Sequence, residues 1–466
     1  MFKSHRRSYR KPQRLLPLPV IILAIPLALI LLELSVRFFV GVMGKSAELA
    51  AYEGQPANVT AYCLKFLSQT QKPYDGLSDR GRLAVQRSLA GGYKLVGNQK
   101  SNFWRINEQG FRDDNPVPLE KPKDEIRIFL LGGSTAFGQW SASNQATATI
   151  SSKLEARLNE RVAQQKRSPE KYQPIPLPVY KPELEKALTL PLKIREGQYR
   201  VINAAVPGYA SGNELAQLAL QILPYSPDAV IVLDGYTDLM LPSDKAQTDI
   251  PEIDAFLNNA PGHLWAYLSG RLKNWVTDTY LVKAIQYWLL RPQPSVSQLS
   301  LVVSEKTAPL EQHLAPDPTE LQRRVARYHN FHKQMVKLTT GANIPLVIAV
   351  QPEITGRGTS QLSPDEQKLL KELGAIYKQR VQTGYAQLEK ATHKLQDGFP
   401  KNVKTLNFYK LYEDFPNRAF YDAVHLTEDG NLLLAERLYQ AIAVLPKLQL
   451  APPKTKGNGD KKKDEG

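Results

Sequence analysis

Five short stretches of almost unbroken Val, Ile, Leu and Ala constrain this chain more than anything else in it. They are residues 126–131 (IRIFLL), 199–203 (YRVIN), 228–233 (DAVIVL), 344–350 (IPLVIAV) and, more faintly, 403–406 (VKTL). Most lack the apolar/polar alternation of a strand with one wet face. Segments of helical character separate or follow them, at 145–165, 212–223, 319–340, 364–395 and 429–445. Strands apolar on both faces and spaced by helices predict a parallel sheet covered on both sides, a three-layer α/β/α sandwich. In such sheets function gathers in the loops that follow the C-terminal strand ends. Four of those ends carry Gly- or Pro-bearing turns here, at 132–138, 207–212, 235–238 and 351–352.

A second constraint lies at the N-terminus. No residue from 15 to 32 is charged, and apolar character resumes at 38–43 after Glu33 and Arg37, which are spaced to pair on one helix face. Roughly 20 residues at ~1.5 Å each cross a bilayer core, so one transmembrane anchor is expected over residues 15–43. Pro17 and Pro19 fall in its first turn, and Pro26 predicts a kink. Lys3, Arg6, Arg7, Arg10, Lys11 and Arg14 precede the run with no acid among them. The positive-inside rule therefore keeps 1–14 cytoplasmic and sends the rest across the cell (inner) membrane to the periplasmic, extracytoplasmic side. A cleaved signal peptide has a shorter apolar core and a small-residue cleavage site. The run here is longer and 47–51 matches such a site imperfectly, so an uncleaved single-pass anchor is the expectation.

Charge narrows the partners. The formal +15 sits largely at the two ends, in residues 1–14 and in a tail after Leu450 with five Lys against three acids. A basicity confined to the termini is not the footprint of a nucleic-acid protein. The single cysteine, Cys63, excludes any disulfide within the chain and any cysteine-based metal cluster. Residues 44–120 are mixed and turn-rich and read as a stalk and irregular lead-in. The domain proper is expected over 121–446, with insertions at 166–198 and 241–318, and 447–466 as a disordered tail.

Two constellations carry chemistry. Ser134 stands where the first strand run ends in a tight turn (LGGSTAFG) and a helix begins. Backbone N–H groups at such a helix start face a nucleophile and bind developing negative charge. Serine there is also the ordinary N-cap residue. Near the other end of the chain, Asp422 and His425 stand three apart on a short loop after the last strand signal. That spacing lets the carboxylate hold imidazole Nδ1 and leaves Nε2 free for a partner.

Together these residues resemble the SGNH (GDSL-type) esterase/lipase superfamily in its membrane-anchored bacterial form. The four family blocks match Gly132-Gly133-Ser134-Thr135, Gly208 after the second strand, Gly235-Tyr236-Thr237-Asp238 after the third, and Asp422 to His425. Their order and strand placement agree over residues 126–445, and the lead-in 107–113 (NEQGFRD) resembles the segment before the first strand in such members. The resemblance implies a flavodoxin-like SGNH fold and hydrolysis of acyl esters through an acyl-enzyme, with no metal or organic cofactor. It makes Ser134 the nucleophile, His425 the general base and Asp422 its orienting carboxylate. The oxyanion would be bound by the N–H groups of Ser134 and Gly208 and by the side chain of the third block.

That last residue is Asn in the family and Thr237 here. Thr237 donates directly or through water, Asn213 substitutes for it, or the enzyme is slow. Asp238 reads as a residue that holds the loop. The family's first-block Asp is Gly133 here, a position that transfers no proton. An α/β-hydrolase elbow is disfavoured, because only one strand precedes Ser134 and Asp422 is only three residues from His425. His329 and His332 lie i, i+3 on a helix with no evident carboxylate partner and read as helix-surface residues. The aromatic insert 241–318 reads equally as a lid or acyl-chain groove and as an accessory helical subdomain. Candidate substrates are O-acyl groups of envelope polysaccharide or lipid. Acyl transfer to such a polysaccharide and a non-catalytic envelope assembly protein are the alternatives. Partners are thus an ester substrate and a membrane, with oligomeric state left open.

Overall fold

The computed structural model describes residues 18–72, 81–140, 148–246, 248, 260–301 and 308–450. Basic residues 1–14 and the lysine-rich end 451–466 lie outside the described residues. The chain divides into two units, one of residues 1–57 with 268–293 and one of 58–267 with 294–466.

In the first unit the apolar helix Leu18–Val42 contains Pro26, and 21 of its residues, Ile22–Val42, are long and apolar enough to cross a membrane. Glu33 and Arg37 pair at 2.8 Å, as their spacing suggests. The Glu33 carboxylate also accepts the N–H groups of Tyr280 (2.9 Å) and Leu281 (2.8 Å), capping the helix Tyr280–Ala284. Arg37 lies 4.7 Å over the Tyr280 ring, and Val40, Leu49 and Ala284 form a small core beside it. In the same unit Leu268, Leu272, Trp275, Leu289 and Leu290 are exposed.

In the second unit the segment read as an irregular lead-in is more regular than its composition suggests. Strands β1 (Leu64–Leu67), β2 (Leu83–Ser88) and β3 (Gly92–Leu95) form one sheet, and β4 (Gln99–Lys100) pairs with β5 (Arg105–Ile106). Tyr62, Leu83, Val85, Tyr93, Leu95, Trp104 and Ile106 are buried in the same apolar core as the main sheet. From residue 58 onward this segment is part of the domain and not a stalk.

The main sheet contains β6 (Glu125–Gly132), β7 (Gln198–Asn203), β8 (Ala229–Asp234), β9 (Leu346–Val350) and β10 (Val403–Asn407), in the order β10-β9-β8-β6-β7, all parallel. Each predicted strand is present within two residues of its expected ends. β8 and β9 are buried throughout and β6 from Ile126 onward, which is why their sequences show no alternation. Two apolar clusters form the layers. One gathers Ile128, Leu130, Ile231, Val347 and Leu434, and the other Phe129, Leu131, Val230, Ile348 and Met335. Successive strand residues thus pack into opposite layers, with helices Ile150–Arg167 and Glu428–Ile442 against the first and Pro318–Gly341 supplying the second. The long helix Pro364–Gly398 is two helices meeting at Gly374, whose φ of 78° breaks the helical path. The tail read as disordered from 447 is ordered to Leu450. Leu448 is buried, and Leu450 N donates to the Lys193 carbonyl at 3.0 Å.

Candidate active site

β6 ends in Gly132, whose φ of 147° turns the chain sharply. A Cβ there would lie 2.3 Å from the Leu233 carbonyl oxygen and 2.6 Å from Ala136 Cβ, so only glycine fits between β6 and β8. Gly133 then caps the short helix Ser134–Phe137 with extended backbone. Ser134 begins that helix and is 8% exposed.

The second and third blocks close around this turn. A Cβ on Gly133 would meet the Tyr209 carbonyl oxygen at 3.2 Å and Thr237 Oγ1 at 3.6 Å. Gly208, with φ 86°, lies in the turn that Tyr209 N closes on the Val206 carbonyl at 3.1 Å. Asp238 accepts Ser211 N at 3.0 Å and the Ser211 hydroxyl, tying the helix Ser211–Gln217 to the helix Tyr236–Met240. This is the loop-holding position read for Asp238. Asn213, the other candidate donor, is held on backbone groups. Its Oδ1 accepts Ala210 N (2.9 Å) and its Nδ2 donates to the Gly91 carbonyl (3.0 Å).

Asp422 and His425 lie on a loop pinched by an isolated bridge between Phe420 and Leu426, just before Thr427 caps the last helix through Gly430 N. Asp422 Oδ1 accepts the N–H groups of Val424 (2.9 Å) and His425 (3.0 Å), and Oδ2 lies 2.7 Å from His425 Nδ1. Both side chains are fully buried. Burial alone would raise the Asp422 carboxyl, but the His425 charge and hydrogen bond, with the two backbone N–H groups, outweigh it and hold the carboxyl below its usual range.

The two loops meet. Thr135, next to Ser134, donates its hydroxyl to the Val424 carbonyl at 3.2 Å, and Gln351 at the end of β9 donates to that hydroxyl at 3.0 Å. Ser134 and His425 themselves form no hydrogen bond. His425 Nε2 is buried and has no hydrogen-bond partner among the described residues.

Several contributors escape a reading by motif. Trp140 Nε1 donates to Asp422 Oδ2 at 2.8 Å and lies 2.9 Å from His425 Nδ1, on a backbone with φ 67°. Arg112 donates to the carbonyls of Phe137 (2.6 Å) and Gly138 (2.9 Å), bracing the helix that starts at Ser134. Tyr93 donates to the Pro207 carbonyl at 2.6 Å, and Tyr209 donates to the Tyr93 carbonyl in return. His332, read as a helix-surface residue, is fully buried and lies 3.2 Å from Asp234. His329 Nδ1 is half-buried against the Ala391 carbonyl at 3.1 Å.

No family model matches the chain, and no curated protein matches it. Among solved structures it is similar to the lipase/acylhydrolase from Enterococcus faecalis, at 13% identity and TM-score 0.33 over 70% of this chain and 99% of that one. A catalytic mutant of an acetylxylan esterase from Geobacillus stearothermophilus matches at 10% identity and TM-score 0.32, over 70% and 97%. A GDSL-like lipase from Bacteroides thetaiotaomicron matches at 10% and 0.29, over 70% and 91%. With superposition this partial, what the pocket can do follows from its own atoms.

Proposed function

We propose that the chain is a membrane-anchored serine esterase that hydrolyses acyl esters through an acyl-enzyme on Ser134. The observation that carries this reading is the buried Asp422–His425 pair, 2.7 Å apart, on a loop hydrogen-bonded to the residue next to Ser134. With the Nδ1 proton given to Asp422, Nε2 is the basic nitrogen. It lacks a partner among the described residues, as a base awaiting its serine would. Such catalytic contacts are often long before substrate arrives and tighten in the complex.

In the proposed reaction Ser134 Oγ attacks the acyl carbon and its proton passes to His425 Nε2. The tetrahedral oxyanion is bound by the N–H groups of Ser134 and Gly208 and by the Thr237 hydroxyl. Collapse expels the alcohol, which takes the proton back from His425. Water then repeats the sequence on the acyl-enzyme and releases the acid. Asp422 keeps the imidazole in its working tautomer throughout. The hydrolase domain includes the lead-in sheet from residue 58 and continues to Leu450, and O-acyl groups of envelope polysaccharide or lipid are its substrate class.

The apolar helix Leu18–Val42 supports a single-pass anchor, and the charges before it support an extracytoplasmic domain. The exposed Leu268, Leu272, Trp275, Leu289 and Leu290, in the unit that contains this helix, suit a bilayer interface.

Labelling of the full chain in detergent by a fluorophosphonate probe tests the reading. Labelling lost in Ser134→Ala is the expected result. A folded wild-type sample that neither labels nor hydrolyses short acyl esters would replace the esterase with an envelope binding protein.

A further inference from the structure

Three titratable side chains from separate elements converge at the C-terminal end of β8. Glu214 comes from the helix Ser211–Gln217, Asp234 is the last residue of β8, and His332 comes from the helix Pro318–Gly341. Glu214 and His332 are 0% exposed and Asp234 2%. One ligating atom from each lies within 4.8 Å of the other two.

Among the described residues no well-aligned donor reaches the facing atoms of this cluster, although Glu214 and Asp234 are close enough to share a proton. Neither oxygen of Glu214 meets a donor among the described residues. Asp234 Oδ2 and His332 Nε2 are 3.2 Å apart, yet neither atom has a hydrogen-bond partner, so they are not aligned on each other. The second Asp234 oxygen is taken by the Tyr328 hydroxyl at 3.0 Å. The neighbouring guanidinium groups are engaged elsewhere. Arg324 binds Glu320 and the carbonyls of Leu239 and His313, and Arg327 binds those of Asp238, Leu241 and Pro242. Two carboxylates buried side by side are strongly unfavourable unless a proton, an imidazolium or a metal ion offsets them.

We propose that Glu214, Asp234 and His332 bind a divalent cation, Zn²⁺ or a first-row ion of similar preference, in a buried site. Two carboxylates and one imidazole form a donor set that suits such ions. His332 Nδ1 donates to the Tyr328 carbonyl at 3.0 Å, which fixes the ring and leaves the Nε2 lone pair for the metal. Tetrahedral bonds of ~2.0–2.2 Å set ligand atoms roughly 3.4 Å apart. The 3.2 Å Asp234–His332 separation already matches one such edge, and the Glu214 ligand atom, within 4.8 Å of both, closes the others by moving inward. Three protein ligands leave the fourth tetrahedral position to a bound water.

The site sits beneath two arms of the proposed oxyanion pocket. The helix carrying Glu214 begins just after Gly208, and Asp234 precedes Thr237 in the turn after β8. The cation would pin both arms to the helix Pro318–Gly341. This positioning role rests on the esterase reading, whereas the binding of the ion does not.

The test uses the full chain, purified in detergent without chelator. Elemental analysis is expected to find about one metal ion per chain, and a strong chelator to lower Tm by several degrees, with Zn²⁺ restoring it. Replacement by Co²⁺ should give visible ligand-field bands that Glu214→Gln and His332→Asn lose. If those variants fail to fold, the Co²⁺ spectrum and chelator response of the wild-type chain decide the matter. Metal below about a tenth of an equivalent, with Tm insensitive to chelator, Zn²⁺ and Co²⁺, overturns the site and leaves a proton shared between the carboxylates. A metal-loaded chain without esterase activity sinks only the hydrolase reading, and an active chain that binds no metal sinks only this site.

Discussion

The indole N–H of Trp140 and the imidazole Nδ1 of His425 converge on one oxygen, Asp422 Oδ2, at 2.8 and 2.7 Å. The carboxylate is therefore held by two side-chain donors as well as by the backbone N–H groups of Val424 and His425. Removing the indole donor while keeping an aromatic ring isolates its part. A hydrogen bond to a charged group contributes roughly 1.5–3 kcal/mol. Trp140→Phe is accordingly expected to lower kcat for a short acyl ester by roughly 10- to 100-fold, with Ser134 still accessible to a fluorophosphonate. A kcat within a factor of about two of wild type would remove Trp140 from the machinery.

Thr237 carries the question of the third oxyanion donor. Its Oγ1 lies beside Gly133, the residue before Ser134, and Asn213 bonds to backbone through both its oxygen and its nitrogen. Thr237→Ala should therefore lower kcat by on the order of 10²–10³ with KM nearly unchanged, the signature of a donor used only in the transition state. Steady-state kinetics check this, and an unchanged kcat would leave the two backbone N–H groups as the whole pocket.

Glu353 sets a pH dependence of stability. Burial raises its carboxyl to about 7, against hydrogen bonds from Thr355 and Tyr377 that pull it down. A carboxyl whose folded pKa is raised binds its proton more tightly in the fold than in the unfolded chain. The unfolded chain loses that proton first, so stability falls as pH rises from the unfolded value near 4.5 through about 7. The full penalty above that window is roughly 3 kcal/mol. Glu353→Gln should flatten this fall and raise Tm at pH 8 relative to wild type. Parallel Tm–pH curves for the two proteins between pH 5 and 8 would contradict the assignment.

The exposed insert predicts contact with lipid. Trp265 and Trp275 are 74% and 73% exposed, whereas Trp104 and Trp140 are buried. In nanodiscs containing brominated lipid, the full chain should lose a substantial fraction of its tryptophan emission, and Trp275→Phe with Trp288→Phe, both in the unit that contains the anchor helix, should remove most of that quenching. Chains that are anchored but unquenched would place the insert in water.

Much of the framework can be read directly from residue order. Apolar runs such as DAVIVL mark strands because β8 is buried on both faces, and the glycines at 132, 208 and 235 mark turns because each has a positive φ. Asp422 and His425 are legible because their pairing is local. What escapes a sequence reading depends on distant partners. β1, β2 and β3 are short and mixed in composition, and their place in the core is set by Trp104, Tyr209 and other residues far along the chain. Trp140 carries no motif, since its role comes from a turn that brings it to a loop 282 positions away. His332 shares a polar helix with His329, and only the fold brings Asp234 to it. Gly374 interrupts an otherwise regular amphipathic pattern, a local signal that helix length obscures.

Gly133 and Thr237 are neighbours. A side chain at 133 would grow directly toward the Thr237 hydroxyl and the Tyr209 carbonyl. Replacing either residue thus changes what the other can be, and effects of paired substitutions there will not sum. The two departures that the resemblance marks, glycine for aspartate and threonine for asparagine, therefore lie side by side. Restoring one family residue alters the surroundings of the other position.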